Sequence, residues 1–227
     1  MIVDERIERS AVLYERAVFG GDPSGLEGAD QDLDRVEADL ALARGRIMHG
    51  HFLTQGREHP QELAMFERAA DLFRQAGDVR CEAEALCWVG IYHQVVRNDD
   101  EAALPMFERA AELAGQAGDK LILSYALRHQ GIAEHLAGHL DEARERLEES
   151  IRLRREVGFA AGVAANMVGL AYIAAGQGRR DEAFATLDTA TIIAEASGAG
   201  GVLRSIEEAR SDVSSEASVP GSESAED

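Results

Sequence analysis

The chain has 227 residues, a formal net charge of −19, 45% apolar residues and only 5% aromatic ones. A protein that binds duplex nucleic acid directly must offer Lys or Arg to the phosphates, so this acidic balance argues against such a partner. No 18 apolar residues run together, and Met1-Ile2-Val3-Asp4-Glu5-Arg6 has neither the cationic start nor the apolar run of a secretory leader, so a soluble, cytoplasmic protein without a membrane span is expected.

Residues 2 to 19 predict an amphipathic helix with Ile7, Val12, Leu13 and Val18 suited to burial, and Gly20-Gly21-Asp22-Pro23-Ser24-Gly25 breaks it. A long helix from about Asp30 to Thr54 and a second from about Pro60 to Ala76 follow. Three further pairs are predicted: 79 to 97 with 99 to 116, 121 to 137 with 140 to 156, and 161 to 176 with 180 to 197. Val202 to Glu207 predicts a short capping helix, and from about Ser211 the Ser, Glu, Gly and Asp content predicts a disordered acidic tail. No stretch alternates apolar and polar residues over a useful length, so almost no strand is expected. The resulting division is an N-terminal helix and loop over 1–29, a helical repeat domain over 30–210 and a tail over 211–227.

The pairs repeat. Met65-Phe66-Glu67-Arg68-Ala69-Ala70 recurs as Met106-Phe107-Glu108-Arg109-Ala110-Ala111, and Gly77, Gly118, Gly158 and Gly198 are spaced by 41, 40 and 40 residues. The triples Ala103/Phe107/Ala110, Ala143/Leu147/Ser150 and Ala183/Leu187/Ala190 keep the i, i+4, i+7 spacing of one helical face. The earlier helix of each pair carries an internal glycine, Gly90, Gly131 or Gly169. Glycine costs roughly 1 kcal/mol against alanine inside a helix, so its recurrence points to another backbone approaching closely there. Each unit therefore reads as a helical hairpin.

A small residue at the closest approach of the first helix, then Ala, a large apolar and a small residue down the second, resembles the tetratricopeptide repeat, as in "ALCWVGIYHQVVRNDDEAALPMFERAAEL" and "ALRHQGIAEHLAGHLDEARERLEESIRL". The resemblance covers roughly residues 40 to 198 and implies an all-α fold: a right-handed superhelical array of antiparallel hairpins, about four repeats plus terminal helices. The usual unit is 34 residues. A period near 40 is similar to the longer-helix repeats of kinesin light chains and bacterial peptide-sensing regulators. The closing proline of the family is absent, and Gly77-Asp78 and Gly118-Asp119 are expected to stop the helix instead.

The resemblance further implies a concave wall of first helices that receives a peptide, a protein segment or a helix. Counting from Gly90, Gly131 and Gly169, residues three and six before and one and four after each glycine are expected to face it. They are Glu84, Cys87, Ile91 and Gln94 beside Trp88; Tyr125, Arg128, Ile132 and His135 beside His129; and Val163, Asn166, Leu170 and Ile173 beside Met167. In the first unit Gly45 and Gly50 compete for the register, and His49 or His51 is offered. Ile91, Ile132, Leu170 and Ile173 would supply apolar contact, while Arg128, Gln94 and Asn166 would orient the ligand. Arg128, His129 and His135 form a local positive centre suited to an anionic group on an apolar or peptide-like ligand.

Other chemistry finds little support. The spacing His135/His139 is the one i, i+4 histidine pair and Gly138 interrupts it, while Cys81 and Cys87 lack a second pair, so neither a metal nor another cofactor is expected and the thiols read as reduced packing residues. No GxSxG elbow, phosphate loop or dinucleotide fingerprint occurs, so a non-enzymatic role is favoured over a groove-based catalyst using His129 or His135. Arg144, Arg146, Arg152, Arg154 and Arg155, interleaved with glutamates, read as a solvated helix face. The chaperone-binding members of the family use several lysines and asparagines; the single lysine here, Lys120, gives no such clamp. Residues 1 to 29 are too short and acidic to supply the DNA-binding domain of the peptide-sensing regulators. A peptide or protein adaptor leads, with a small-molecule sensor or regulatory subunit as the alternative. A small C-terminal cap leaves room for homo-oligomerisation.

Overall fold

The structure, a computed structural model, describes residues 4–215. Among them are ten α-helices and no strand: α1 (Glu5–Gly20), α2 (Leu26–Gln55), α3 (Glu62–Gln75), α4 (Val79–Ile91), α5 (Asp100–Ala117), α6 (Lys120–Leu136), α7 (Leu140–Glu156), α8 (Ala160–Gly176), α9 (Arg180–Ala196) and α10 (Gly200–Ser215). No helix among the described residues is long and apolar enough to cross a membrane. The described residues fall into two compact units, one up to Ile122 and one from Leu123.

Glycine and aspartate divide the labour at the junctions between hairpins. Gly77, Gly118, Gly158 and Gly198 end their helices with φ between 66° and 73°, a left-handed conformation that a Cβ disfavours. The aspartates that follow the first two do not stop a helix; they start the next one. Asp78 Oδ1 accepts from the Cys81 amide at 3.0 Å, and Asp119 Oδ1 from the Ile122 amide at 2.9 Å, each satisfying a donor that the helix start leaves open.

The 41-residue first spacing has a local cause. α4 passes into a π-helical turn over Tyr92–Val96, in which the Arg97 amide donates back to the Tyr92 carbonyl at 3.3 Å. A π turn accommodates one inserted residue without ending the helix. Asn98, with φ of 53°, then takes the left-handed position that Gly138 and Gly178 occupy in later hairpins, as asparagine tolerates.

In the first unit α2, α3 and α4 share a core of Ala38, Leu42, Phe66, Leu72, Phe73, Ala85 and Val89. Its closest contacts are made over glycine: a Cβ at Gly45 would lie 2.5 Å from Phe66 Cε1, and one at Gly90 would lie 2.6 Å from Phe107 Cε1. The first repeat is therefore registered on Gly45. His49 is buried with its Nδ1 2.9 Å from Glu62 Oε1, and His51 is exposed. In the second unit α7 to α10 enclose Ile151, Ala164, Val168, Ala171, Leu187, Ala190 and Ile206.

Both ends differ from the sequence expectation. α10 runs 16 residues with Ile206, Ala209 and Val213 buried, so the cap is longer than foreseen and Ser211–Ser215 are helical; the remainder of the expected tail lies outside the described residues. α1 buries none of its residues, and Ile7, Val12 and Val18 are exposed.

If the Gly45–Phe66 contact governs the first hairpin, Gly45→Ala overpacks it and should cost about 1–3 kcal/mol in urea unfolding. Gly115→Ala, where an added Cβ meets nothing within 4 Å, should instead stabilise by about 0.5–1 kcal/mol by restricting the unfolded chain.

Candidate functional site

The registration of α8 decides where the candidate site lies. Gly131 packs on the following helix, its added Cβ falling 3.2 Å from Leu147 Cγ, whereas one at Gly169 would meet Leu147 Cδ1 at 2.8 Å, on the helix before it. Gly169 is thus not the equivalent of Gly131. Gly131 precedes Leu147 by 16 residues, and the residue 16 before Leu187 is Ala171, fully buried. The count that gave Val163, Asn166, Leu170 and Ile173 then moves by two to Ala165, Val168, Tyr172 and Ala175.

A recess of about 220 Å³ confirms that shift in register. Arg128, Ile132 and His135 of α6 form one wall, and Ala165, Val168, Gly169 and Tyr172 of α8 form the other. Leu147 and Ile173 close the base, where they pack with Ala143 and Leu140. On a helix of 3.6 residues per turn, Arg128, Ile132 and His135 lie within about 60° of one another, so one narrow strip of α6 supplies the wall.

Behind the recess is a polar network that the sequence reading misassigned. Asn166, fully buried, was expected to meet a ligand; its Oδ1 accepts from Arg128 Nη1 at 2.7 Å and from Arg154 Nη1 at 2.9 Å. Its Nδ2 donates to Ser150 Oγ at 2.7 Å, and Ser150 Oγ donates to the Ser124 carbonyl at 2.5 Å. Arg154, expected on a solvated face, is 2% exposed; it also donates to the Gly162 carbonyl at 2.8 Å and lies 4.8 Å from the Tyr125 ring centroid and 5.4 Å from that of Phe159. Tyr125 is held in this cation–π contact. Arg144 also departs from the expected solvated face, reaching Glu182 at 2.9 Å with a side chain 19% exposed, while Arg152 does lie there, paired with Glu149 and Glu156.

A sequence signal for Arg154 was present. Extending the triples by one more helical turn gives Ala114, Arg154 and Ala194, and both alanines are fully buried. Ser150 likewise stands where Ala110 and Ala190 are buried. α7 therefore places a serine and an arginine at two positions that α5 and α9 fill with alanine.

Electrostatically, the amide oxygen of Asn166 gathers two guanidinium groups. Burial pulls the Arg128 guanidinium below its ordinary value, opposed by Tyr125, yet arginine remains charged at neutral pH. Among the described residues no carboxylate is ion-paired with Arg128. The Nδ1 atom of His135 is buried without a hydrogen-bond partner among the described residues. The recess thus combines apolar walls, a cation and an unmet polar atom.

The remaining expected site residues are not brought to it. Cys87 and Ile91 are buried, and Gln94, re-aimed by the π turn, donates to Asp100 Oδ1 at 2.7 Å. Trp88 stacks on Phe66 at 5.5 Å and lies edge-on to His49 at 5.6 Å, under the Arg46 guanidinium, so it belongs to the core of the first unit. His129, like Val163 and Met167, is buried, and Leu170 packs on Leu147 and Ile173. The physical reason is that these helices are packed on more than one side, leaving only a strip of each open.

Among the described residues no three His, Cys, Asp or Glu side chains come together as a group able to hold a metal ion. A larger recess of about 510 Å³ lies between α2 and α3 beside Asp32, Asp34 and Arg35, but Arg35 is engaged with Asp78 at 3.1 Å and the lining is mainly polar, with Leu72 and Ala76 as its apolar members. Comparison with protein-family models finds no match, and comparison with curated proteins finds none either.

The network predicts an order of stabilities. Asn166→Ala removes the fully buried acceptor shared by Arg128 and Arg154 and should cost about 2–4 kcal/mol in chemical denaturation, whereas Arg128→Ala, at a half-buried position with Asn166 still bonded to Arg154, should cost about 1 kcal/mol. The reverse order would make Arg128 the structural member.

Proposed function

We propose that this chain is a non-catalytic binding module of the tetratricopeptide-repeat type, built as a superhelical array, and that the recess between α6 and α8 receives part of a peptide or protein segment. The observation that carries the reading is the joint presence of apolar walls and an arginine without a paired carboxylate in one recess. An apolar side chain enters between Ile132, Val168 and Tyr172, and an adjacent carboxylate meets Arg128 as a charge-assisted hydrogen-bond partner.

Size supports a peptide over a whole small molecule. Pockets that enclose drug-sized ligands measure roughly 300–1,000 Å³. A recess of about 220 Å³ fits one large aliphatic or aromatic side chain. The rest of such a ligand lies outside it, as an extended segment does. A cytoplasmic adaptor is the setting in which such a surface is useful, and in a chain of net charge −19 an anion is favoured only beside a local cation such as Arg128.

The test is selection from a random heptapeptide library on the immobilised full chain. Enrichment of sequences with a large apolar residue next to Asp, Glu or a free C-terminus is expected. Arg128→Gln should weaken the selected peptides about tenfold, the equivalent of losing about 1.4 kcal/mol. Ala165→Phe, which fills the recess, should weaken them further. Peptides that bind both variants as well as the parent chain would overturn the assignment.

A further inference from the structure

The feature that neither the fold nor the recess accounts for is the apolar surface at the start of the chain. Ile7, Tyr14 and Val18 of α1 are 42%, 59% and 55% exposed, and with Ala11 they fall within about 60° on an ideal helix. On α2, Leu26, Leu33, Leu40 and Ile47 recur every seven residues, again within about 60°, and are 38%, 36%, 50% and 66% exposed. Heptad spacing of large aliphatics is the pattern of a helix seam that expects a partner.

The two stripes form one face. α1 and α2 are antiparallel, with Arg6 bonded to Asp39 at 3.0 Å and Arg9 paired with Asp32 at 3.5 Å. The stripe of α1 lies about 100° round from its half-buried side at Arg6, Ser10, Leu13 and Ala17, in the direction of increasing residue number. That of α2 lies about 100° round, in the same sense, from Asp32 and Asp39. Because the helices run in opposite directions, these rotations turn both stripes to the same side of the hairpin.

We infer that this face is the docking surface for a second copy of the chain, placed with the two α2 helices antiparallel across a twofold axis near Leu40. Area is the first argument. The seven large side chains leave on the order of 700 Å² open per copy, above the roughly 300–600 Å² of a typical monomer's largest apolar patch and near the roughly 800 Å² per partner of a standard interface. Charge is the second. The first half of α2 carries Glu27, Asp30, Asp32, Asp34, Glu37 and Asp39 against the single Arg35, and the second half carries Arg44 and Arg46, the latter paired with Glu84 of its own chain. A parallel pair sets like charges together, whereas an antiparallel pair sets acid against base. Glu37 and Arg44, both exposed, flank the seam on the same side, three and four residues from Leu40; Glu37 holds Arg68 of its own chain at 2.7 Å, and the axis brings the partner subunit's Arg44 to that carboxylate as a second cation. Closure by a twofold also leaves no second apolar face open to propagate a filament.

Sedimentation equilibrium of the full chain at micromolar concentration tests this. The expected mass is twice the 24.5 kDa chain. Leu40→Glu should yield the monomer with an unchanged far-ultraviolet spectrum. Arg44→Glu should weaken association about tenfold, and Glu37→Arg with Arg44→Glu in the same chain should restore it. The charge pair of variants keeps the test decisive if Leu40→Glu fails to fold. A wild-type monomer under these conditions would assign the face to another partner and overturn the inference, as would a dimer indifferent to Leu40→Glu or a doubly exchanged chain that stays weak. Peptide binding at Arg128 is read separately, so either result stands without the other.

Discussion

The constraint on which three of the hairpins depend is the approach of a large apolar side chain to a helix backbone that has no Cβ in the way. Phe66 over Gly45, Phe107 over Gly90 and Leu147 over Gly131 are the same contact made three times. It sets the height at which two helices lock and therefore which residues of each remain open. A glycine inside a helix costs stability on its own. The ring seated in its place returns it through burial, at about 25 cal/mol per Å² of apolar surface removed from water. Where the pair is shifted by one residue, as before α5, the backbone absorbs the difference in a π turn and the contact is kept.

This constraint explains what was legible in the sequence. Helix positions and hairpin pairing followed from glycine spacing and from the i, i+4, i+7 triples, because both report a contact that has to recur. Register within a hairpin was less visible. Gly169 looked like a third copy of Gly90 and Gly131, but the contact at that height in α8 is made by Ala171, and Gly169 serves Leu147 on the other side. One glycine pattern thus covered two packing needs. The two-residue error moved Asn166 into an expected binding strip when it lies within the protein, and left Ala165, Val168 and Tyr172 unnoticed. Arg154 is hidden for a related reason: charge alternation along α7 masks the fact that the equivalent positions of α5 and α9 are buried alanines and that of α3 is the buried Phe73.

Arg154 and Ser150 also set α7 apart from α5 and α9. Alanine at both positions would pack α7 as it packs α5 and α9. The polar pair, with Asn166 and Ser124, instead builds a network whose members hydrogen-bond to one another, as buried polar groups need. A network of that kind is not needed for stability, since apolar substitutes of similar volume do as well or better. What it adds is position. Asn166 holds the Arg128 guanidinium at 2.7 Å, at the wall of the recess, where a flexible arginine would otherwise sample solvent. An arginine held in place loses less entropy on meeting an anion than one that must be ordered first.

The same logic separates the two surfaces in kind. Around Arg128 the polar groups are fixed and the apolar contact is small, the arrangement for selecting one feature of a short ligand. On α1 and α2 the apolar contact is broad and the charges are arranged by sign along the helix, the arrangement for recognising a surface that carries the reverse order. A helix whose acidic half precedes its basic half is its own best complement when turned end for end, so no second gene product is required to cover it.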